Sequence, residues 1–527
     1  MIFSPSHHRC LLAFALVLAC TPLALAQNGA IAGVAVSATS DQPLAHAAIE
    51  LLLQSDRSTV ATQWTGDDGR FRFEHLADGK YELVGTRNGF LRTDYEQHGD
   101  FSSAVVVGAD QSTDALTLRL RPEATLRGTV IGEAGEPVEG ANVTLFRRPA
   151  SAQNTDKILR MASRKTDDTG SYEFAHLAPG TYSLVVNAEP WFALHSTRDD
   201  GPATLHALDL VYPRTYFDGV TDEAQAAAIP LESGEQARAD LRLAAVPALH
   251  LKLPPGTSEG PPALRQTSFG FYFSDEDAPL TQGDQVGAVA PGHYLLSTGT
   301  PARQIAVTLS TSGAIELAGA EPLVELSGKL DLIGPPPPEQ YLQLTFYPEH
   351  DNNGQQPYWV VPRDGKFHTA DLQAGRWRLE LVNGYGHAYS IDSIESQGKR
   401  TPGNRLALAG GKAEITLHAR LAEQNIEGFA RKAGHGVAGA MILLVPDDLT
   451  QHPQQARRDQ SDSDGSFSLR EVAAGRYTLV AIEDGWSLDW RQPDALARYL
   501  PAGQRVTIQG GPQQTLHLPD PVMVQPR

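Results

Sequence analysis

A phrase marked by two glycines, written four times along the chain, restricts the fold more than any other feature. It reads TGDDGRFRFEHLADGKYEL from Thr65 to Leu83, TDDTGSYEFAHLAPGTYSL from Thr166 to Leu184, PRDGKFHTADLQAGRWRL from Pro362 to Leu379 and SDSDGSFSLREVAAGRYTL from Ser461 to Leu479. In every copy the glycines stand ten residues apart: Gly69/Gly79, Gly170/Gly180, Gly365/Gly375 and Gly465/Gly475. A worn fifth copy, VGAVAPGHYLL from Val286 to Leu296, retains Gly292 and Tyr294 of the second half. Self-similarity of this kind signals a tandem architecture and has to be found before any element is assigned.

Each part of the phrase has a mechanical reading. Asp-Gly is a turn in which Asp bonds nearby N–H groups and Gly accepts positive φ. A short strand follows with apolar residues at every second position, as in Phe71 and Phe73. A second Gly turns the chain, and Tyr81 with Leu83 alternate on the returning strand, which predicts a β-hairpin with one buried face. Upstream of each full copy lies a strand with its own Gly, at Gly33, Gly128, Gly328 and Gly428. Downstream, a strand pair around a turn closes each unit, as in VVVGADQSTDALTLRL and LALAGGKAEITLHARL. About seven short strands in some 80 to 120 residues predict a small antiparallel sandwich. The best helix candidate, Asp222–Ala228, is about two turns long.

These motifs resemble the carboxypeptidase regulatory-like domain. The shared residues are the run D-G-x-F-x-F-x-x-L-x-x-G-x-Y-x-L, a preceding G-x-V strand, and a P-(V/L)-x-G-A-x-V loop and strand. The resemblance is fullest over 122–185, extends over 28–85, 424–482 and 325–382, and fades over 245–324. It implies a transthyretin-like (prealbumin-like) β-sandwich, similar to Cna B-type repeats and starch-binding-like modules, and accessory, binding or structural roles. The expected fold is therefore all-β, a tandem array of about five transthyretin-like seven-stranded antiparallel β-sandwiches. Their expected spans are 27–121, 122–244 with an extended insertion, a degenerate 245–324, 325–419 and 420–527. Pro254–Pro262 and Gly334–Pro338 read as stiff linkers.

Residues 1–26 read as a secretory signal peptide, with Arg9, an apolar run from Leu11 to Ala19, and Ala24-Leu25-Ala26 before Gln27. The competing reading is a lipoprotein signal that anchors the chain through Cys20. The expected location is periplasmic, cell-envelope or extracellular. The only cysteines are Cys10 and Cys20, so a chain cut after Ala26 has to be stable without disulfides. A formal charge of −19 gains nothing from counterion release at phosphates and argues against a nucleic-acid partner. No apolar stretch reaches the length of a membrane-spanning helix, about 20 residues.

Catalytic chemistry is not expected. No His-Xaa-Xaa-Glu or His-Glu-Xaa-Xaa-His is present to hold a zinc ion. Gly256-Thr257-Ser258-Glu259-Gly260 has the letters of a nucleophile elbow, but prolines flank it on both sides where a strand and a helix are needed. Asp462 and Asp464 in Ser461-Asp462-Ser463-Asp464-Gly465 resemble the start of a calcium loop, or serve a plain turn. No cofactor is expected.

The candidate binding residues are aromatic. After each phrase the chain makes a polar turn and places a ring: Phe90, Trp191, Tyr385 and Trp486, with Trp490 and Tyr95 nearby. Such rings stack on sugar faces or hold apolar side chains; alternatively each plugs one end of its own sandwich. The expected function is an exported, non-catalytic protein that binds carbohydrate or protein surfaces. The alternatives are a purely structural or adhesion scaffold and a hydrolase with an unrecognised site.

Overall fold

The computed structural model describes residues 29–108, 113–148, 158–195, 207–254, 263–272, 280–298, 303–315, 321–333, 342–349, 357–382, 388–421, 424–450, 452–509 and 514–527. The signal-like segment, Ser258 and Tyr385 lie outside these residues.

The chain is all-β, and five hydrophobic cores fall in consecutive stretches. Their buried members span Ile31 to Leu120, Ala124 to Leu243, Leu249 to Leu309, Val324 to Ala419 and Ile426 to Val524. Each core lies between two sheets, so the chain is a tandem series of transthyretin-like sandwiches, here numbered 1 to 5. In sandwich 2 one sheet pairs Ala124–Ile131 with Ser171–Leu177 and Gln236–Arg238. The other orders Leu159–Lys165, Asn142–Arg147, Gly180–Asn187 and Thr215–Tyr216. Asp222–Ala228 supplies one 3-10 turn, Glu223–Gln225, rather than a two-turn helix.

The glycine-spaced phrase is not a hairpin. Its two strands belong to opposite sheets: Ser171–Leu177 pairs with Ala124–Ile131, whereas Gly180–Asn187 pairs with Asn142–Arg147. Sandwiches 1, 3, 4 and 5 repeat this crossing. A hairpin and such an arch share the same turn residues and the same apolar alternation, so local pattern does not separate them. Two devices make the arch. A bulge interrupts the pairing of the first strand in all five sandwiches. In four of them a residue with positive φ sits there: His75, His176, Ala288 and Glu471. Bulges increase local twist and swing a strand out of its sheet. Just beyond, the ring after the second Gly bonds back four residues to the arch. Tyr81 donates to the Ala77 carbonyl at 2.8 Å, Tyr182 to Ala178 at 2.6 Å, Tyr294 to Ala290 at 2.8 Å and Tyr477 to Ala473 at 2.8 Å. In sandwich 4 the Trp377 indole N–H does the same to Gln373 at 3.1 Å.

The closing strands also differ from a simple pair. Val105–Val107 pairs with Gly79–Thr86 in one sheet, and Leu116–Leu120 runs parallel to Gly29–Ser37 in the other. All five sandwiches have at least one such parallel contact with their first strand, and sandwiches 2 and 5 have two. In sandwiches 1 and 2 the close approach explains the glycine in that strand: a Cβ on Gly33 would lie 2.2 Å from the Leu116 carbonyl oxygen, and one on Gly128 2.0 Å from that of Ala239. Sandwich 3 is less degenerate than its sequence, since its turn falls at Gly283-Asp284 and its Tyr294 corner is intact.

The joints are short. Strand Leu116–Leu120 is followed by Ala124–Ile131, and Leu323 alone separates Glu321–Pro322 from Val324–Ile333. Of the expected linkers Pro254–Pro262 and Gly334–Pro338, residues 255–262 and 334–338 lie outside the described residues; the strands on either side, Leu249–Lys252 with Ala263–Ser268 and Val324–Ile333 with Gln343–Pro348, belong to one sandwich in each case, sandwich 3 and sandwich 4. Sandwiches 2 and 3 share an apolar contact of Phe146, Val185 and Tyr216 with Phe269 and Phe271. There Tyr216 shares a 2.7 Å hydrogen bond with Ser268.

Tyr182→Phe removes the corner bond and leaves the Ala178 carbonyl without that donor. The expected cost is about 1–2 kcal/mol. It is read as a lower urea midpoint for the transition of sandwich 2 at unchanged slope; an unchanged midpoint contradicts the role given to the corner.

Candidate functional site: a clasp between the first and last sandwiches

Buried hydroxyls position the turn that opens three of the four phrases. Thr65 donates to the Leu44 carbonyl and accepts from the Ala47 N–H, at 2.6 and 2.9 Å. Thr166 repeats this with Val138 and Ala141, and Ser461 with Val437 and Ala440. In sandwich 5 the turn so fixed, Ser461 to Gly465, meets sandwich 1.

The contact is a hydrogen-bonded clasp around Asp462. One carboxylate oxygen accepts from Lys80 Nζ at 2.7 Å and the other from the Ala104 N–H at 2.7 Å. Lys80 also reaches Ser466 Oγ at 2.8 Å. Ser463 donates its N–H to the Ala104 carbonyl at 2.9 Å, and its hydroxyl accepts from the Val106 N–H at 2.8 Å. Ser103 donates to the Ser461 carbonyl at 2.8 Å. The Gln460 amide donates to the Glu96 carbonyl at 2.6 Å and to Ser103 Oγ at 2.9 Å, and shares a 3.0 Å bond with His98 Nδ1. Beside this seam the Trp486 ring stacks on His98 at 5.2 Å and 8°, and meets Phe101 at 5.2 Å.

The seam is dry. Ser103, Gln460 and Ser461 are buried, and the Asp462 side chain is only 6 % exposed. Burial pushes the Asp462 carboxyl above the usual range, against the lowering effect of Lys80. Beside it, Asp459 accepts from the Ser468 N–H at 2.7 Å, and burial pushes it up to about 6. A removed partner in such a seam leaves a buried group unsatisfied, which makes each bond matter more than on open surface.

The residues singled out from sequence are dispersed. Trp486 is half-buried and donates its indole N–H to the Gly439 carbonyl at 2.9 Å. It packs on the second apolar cluster of its own sandwich and also meets His98 and Phe101 across the seam. Trp490 packs on the second apolar cluster of sandwich 5, with Arg458 and Arg491 over its ring at 5.0 and 4.8 Å. Phe90 and Tyr95 are half-buried on the core of sandwich 1, with Arg87 over Phe90 at 5.1 Å. Trp191 is 84 % exposed.

Asp462 and Asp464 face protein donors: the Lys80 ammonium takes one Asp462 oxygen, and Ser466 donates its N–H and hydroxyl to Asp464 at 2.8 and 2.5 Å. Among the described residues no group of three or more His, Cys, Asp or Glu is placed to hold a metal ion, and no helix is long and apolar enough to cross a membrane. The clasp residues Lys80, Ser103 and Gln460 carried no motif. The signal available was the unusually polar turn Ser461 to Asp464, which reads equally as a metal loop.

Comparison with known proteins identifies two of the modules. Residues 30–121 and 125–195 match the model of the carboxypeptidase regulatory-like domain, so sandwich 1 and the first part of sandwich 2 carry that domain. The search of curated proteins gave no match. Similar solved structures include the Bacillus anthracis TIE protein, at 11 % identity over 94 % of this chain and 74 % of that one, with a TM-score of 0.18. The minor pilin GBS52 of Streptococcus agalactiae is 14 % identical over 41 % of this chain and 96 % of its own, with a TM-score of 0.21. The Bacillus cereus major pilin subunit BcpA is 9 % identical over 95 % and 99 %, with a TM-score of 0.15. Overlaps of this extent say nothing about what the chain does.

Two outcomes test the clasp. Lys80→Met strands the Asp462 carboxylate, which is expected to destabilise the contact by about 3–5 kcal/mol. Small-angle scattering should then show an expanded particle, and adding Asp462→Asn should restore part of the wild-type profile. Unchanged scattering in Lys80→Met contradicts the clasp. Asp459 supplies a pH dependence. An acid whose pKa rises on folding keeps its proton when the unfolded chain has lost it. Stability should therefore fall by roughly 3 kcal/mol as pH rises from the ordinary aspartate value of 3.8 to about 6, and level off above. In Asp459→Asn this slope should vanish; a slope retained in the variant contradicts the assignment to Asp459.

Proposed function

We propose that the chain is an exported, non-catalytic scaffold of the cell envelope or extracellular space that works through sandwich-to-sandwich and surface contacts. The observation that carries this reading is the clasp. A chain whose first and last modules hold each other through largely buried, charge-assisted bonds maintains a fixed spatial relation among its surfaces. The short joints support the same reading, because they leave little slack between modules. Regulatory-like modules at the N-terminal end and a signal-like leader in residues 1–26 agree with export and an accessory role.

The clasp also suggests how contacts with other proteins form. Its sandwich 5 side includes the edge strand Arg457–Gln460. The corresponding edge strands of sandwiches 1 and 4, Thr59–Trp64 and Tyr358–Val360, expose Trp64 and Trp359 by 69 % and 60 %. An exposed apolar edge is a ready surface for another strand or module. We assign partner contact to these edges, and a second reading, recognition of a carbohydrate face, to Trp191.

The test is crosslinking in the envelope fraction of cells making the wild type, Trp64→Ala/Trp359→Ala, or Trp191→Ala. Loss of protein adducts in the edge variant, with wild-type folding, is the expected result. Identical adducts in all three forms contradict the edge assignment. Loss of glycan retention in Trp191→Ala alone favours the carbohydrate reading.

A further inference from the structure

The clasp joins a turn to a seat. The turn is Ser461 to Gly465 of sandwich 5; the seat, in sandwich 1, is Lys80 together with Ala104 to Val106 on the strand beside it. Because the sandwiches are built alike, other modules carry the same two parts.

An exposed turn of this kind stands in sandwich 2. Thr166 is its buried hydroxyl, as Ser461 is in sandwich 5. Asp167 occupies the place of Asp462. Its N–H reaches the Ser171 carbonyl at 3.1 Å and its carbonyl accepts from Gly170 at 2.9 Å, where Asp462 meets Ser466 and Gly465 at 2.7 and 2.8 Å. Asp167, Asp168 and Thr169 are all exposed. One Asp167 oxygen accepts from the Thr169 hydroxyl, the Ser171 N–H and the Thr169 N–H at 2.6 to 2.9 Å, which holds the carboxyl below its usual range. The turn from Thr166 to Gly170 thus presents two carboxylates and no cation. In sandwich 1 the same place is Gly66, whose carbonyl accepts from Gly69 at 2.9 Å but which offers no carboxylate.

An exposed seat stands in sandwich 5. Arg476 follows the second Gly of its phrase as Lys80 does. The strand Gln504–Ile508 pairs beside it in the register of Val105–Val107: Tyr477 stands opposite Val506 as Tyr81 stands opposite Val105. Arg505 and Thr507 therefore take the places of Ala104 and Val106, and both are exposed. The N–H that meets the Lys80 carbonyl is that of Gln54; at Arg476 it is that of Asp447. Asp447 pairs with both arginines, Arg476 at 3.2 Å and Arg505 at 2.7 Å, and their side chains remain 77 % and 74 % exposed. Two guanidinium groups share one carboxylate, so these three side chains sum to one positive charge.

We propose that the sandwich 2 turn of one copy docks on the sandwich 5 seat of a second copy of this chain, with Asp167 and Asp168 facing Arg476 and Arg505. Within one chain both parts are exposed and do not meet, so another copy is needed to join them. Opposite charge steers two chains that each carry a formal −19 onto this pair of surfaces. A guanidinium group has five N–H donors, so an arginine can hold Asp447 and a visiting carboxylate together. Turn and seat are different surfaces, so the contact is head-to-tail and each copy offers one of each. The inference deepens the scaffold reading by naming a partner, and it rests on the clasp as the pattern of the contact.

Sedimentation velocity of the full chain over a concentration series, with small-angle scattering of the dilute samples, tests this. The seat variant is Arg476→Glu/Arg505→Glu. The turn variant is Asp167→Asn/Asp168→Lys, in which Asn keeps the bonds of the turn. Expected is self-association of the wild type that weakens with added salt. Each variant alone should lose it by at least about tenfold, and an equimolar mixture should recover it, because the mixture again contains a wild-type turn and a wild-type seat. A wild type that stays monomeric with the scattering of a closed chain overturns the docking and leaves the clasp and the scaffold reading standing. Self-association unchanged in both variants, or no recovery on mixing, overturns it as well. Association lost in Trp64→Ala/Trp359→Ala but kept in both charge variants overturns this inference and supports the edge strands as the contact. Scattering of an open chain overturns the clasp, and this inference with it.

Discussion

The arrangement of the chain depends on one buried carboxylate. Asp462 is buried, and its charge is tolerated because Lys80 and the Ala104 N–H come from the other end of the sequence. Neither sandwich satisfies that carboxylate by itself, so an open clasp has to solvate what the closed one pairs. This makes the contact conditional: strong while both partners are present, and unfavourable once one is lost. The surrounding hydrogen bonds of Gln460, Ser103 and Ser463 fix its register, and Trp486 covers one side with an aromatic stack.

A clasp between modules so far apart in sequence needs modules that hold their own shape. Each sandwich achieves this without a disulfide, by the same means: a bulge that leads the strand out of its sheet, a ring hydroxyl or indole that ties the arch to its own carbonyl four residues back, and a parallel closing strand, which in sandwiches 1 and 2 presses against a glycine. In sandwiches 4 and 5 a further strand ties the two sheets together. Ala388–Ser396 pairs with both Gly375–Val382 and Gly411–Leu421. Val522–Gln525 pairs with Gln424–Lys432 and Gly475–Ile482. With only a few residues between neighbouring sandwiches, rigidity in each module becomes restraint on the whole series.

Much of this was legible in the residues, and the limits have physical causes. Fold class and repeat number followed from Gly-Asp turn chemistry and alternation, because both are local. The choice between hairpin and arch did not, because Phe71 and Tyr81 alternate identically in either; what decides it is the pairing partner, which is distant. The parallel closing strand was hidden for the same reason. Glycines such as Gly128 marked a close approach without naming Ala239 as the neighbour. At the clasp, the turn from Ser461 to Asp464 stood out as unusually polar, but a carboxylate that meets a lysine and one that meets a cation look alike in sequence. Lys80 was invisible, being one charged residue on a strand. Trp486 stood out as a ring after a polar turn, while its contacts across the seam needed His98 and Phe101, which come from sandwich 1.

The claim on which the rest depends is that sandwiches 1 and 5 hold each other in solution, and amide hydrogen exchange across the seam addresses it directly. Ala104, Val106 and Ser463 give their N–H groups to the opposite sandwich. The account predicts that these amides exchange slowly in the wild type and at surface rates in Lys80→Met, while amides within the Tyr81 and Tyr477 strands stay protected in both. Surface-like exchange of all three in the wild type, with the cores still protected, would show that the clasp does not form.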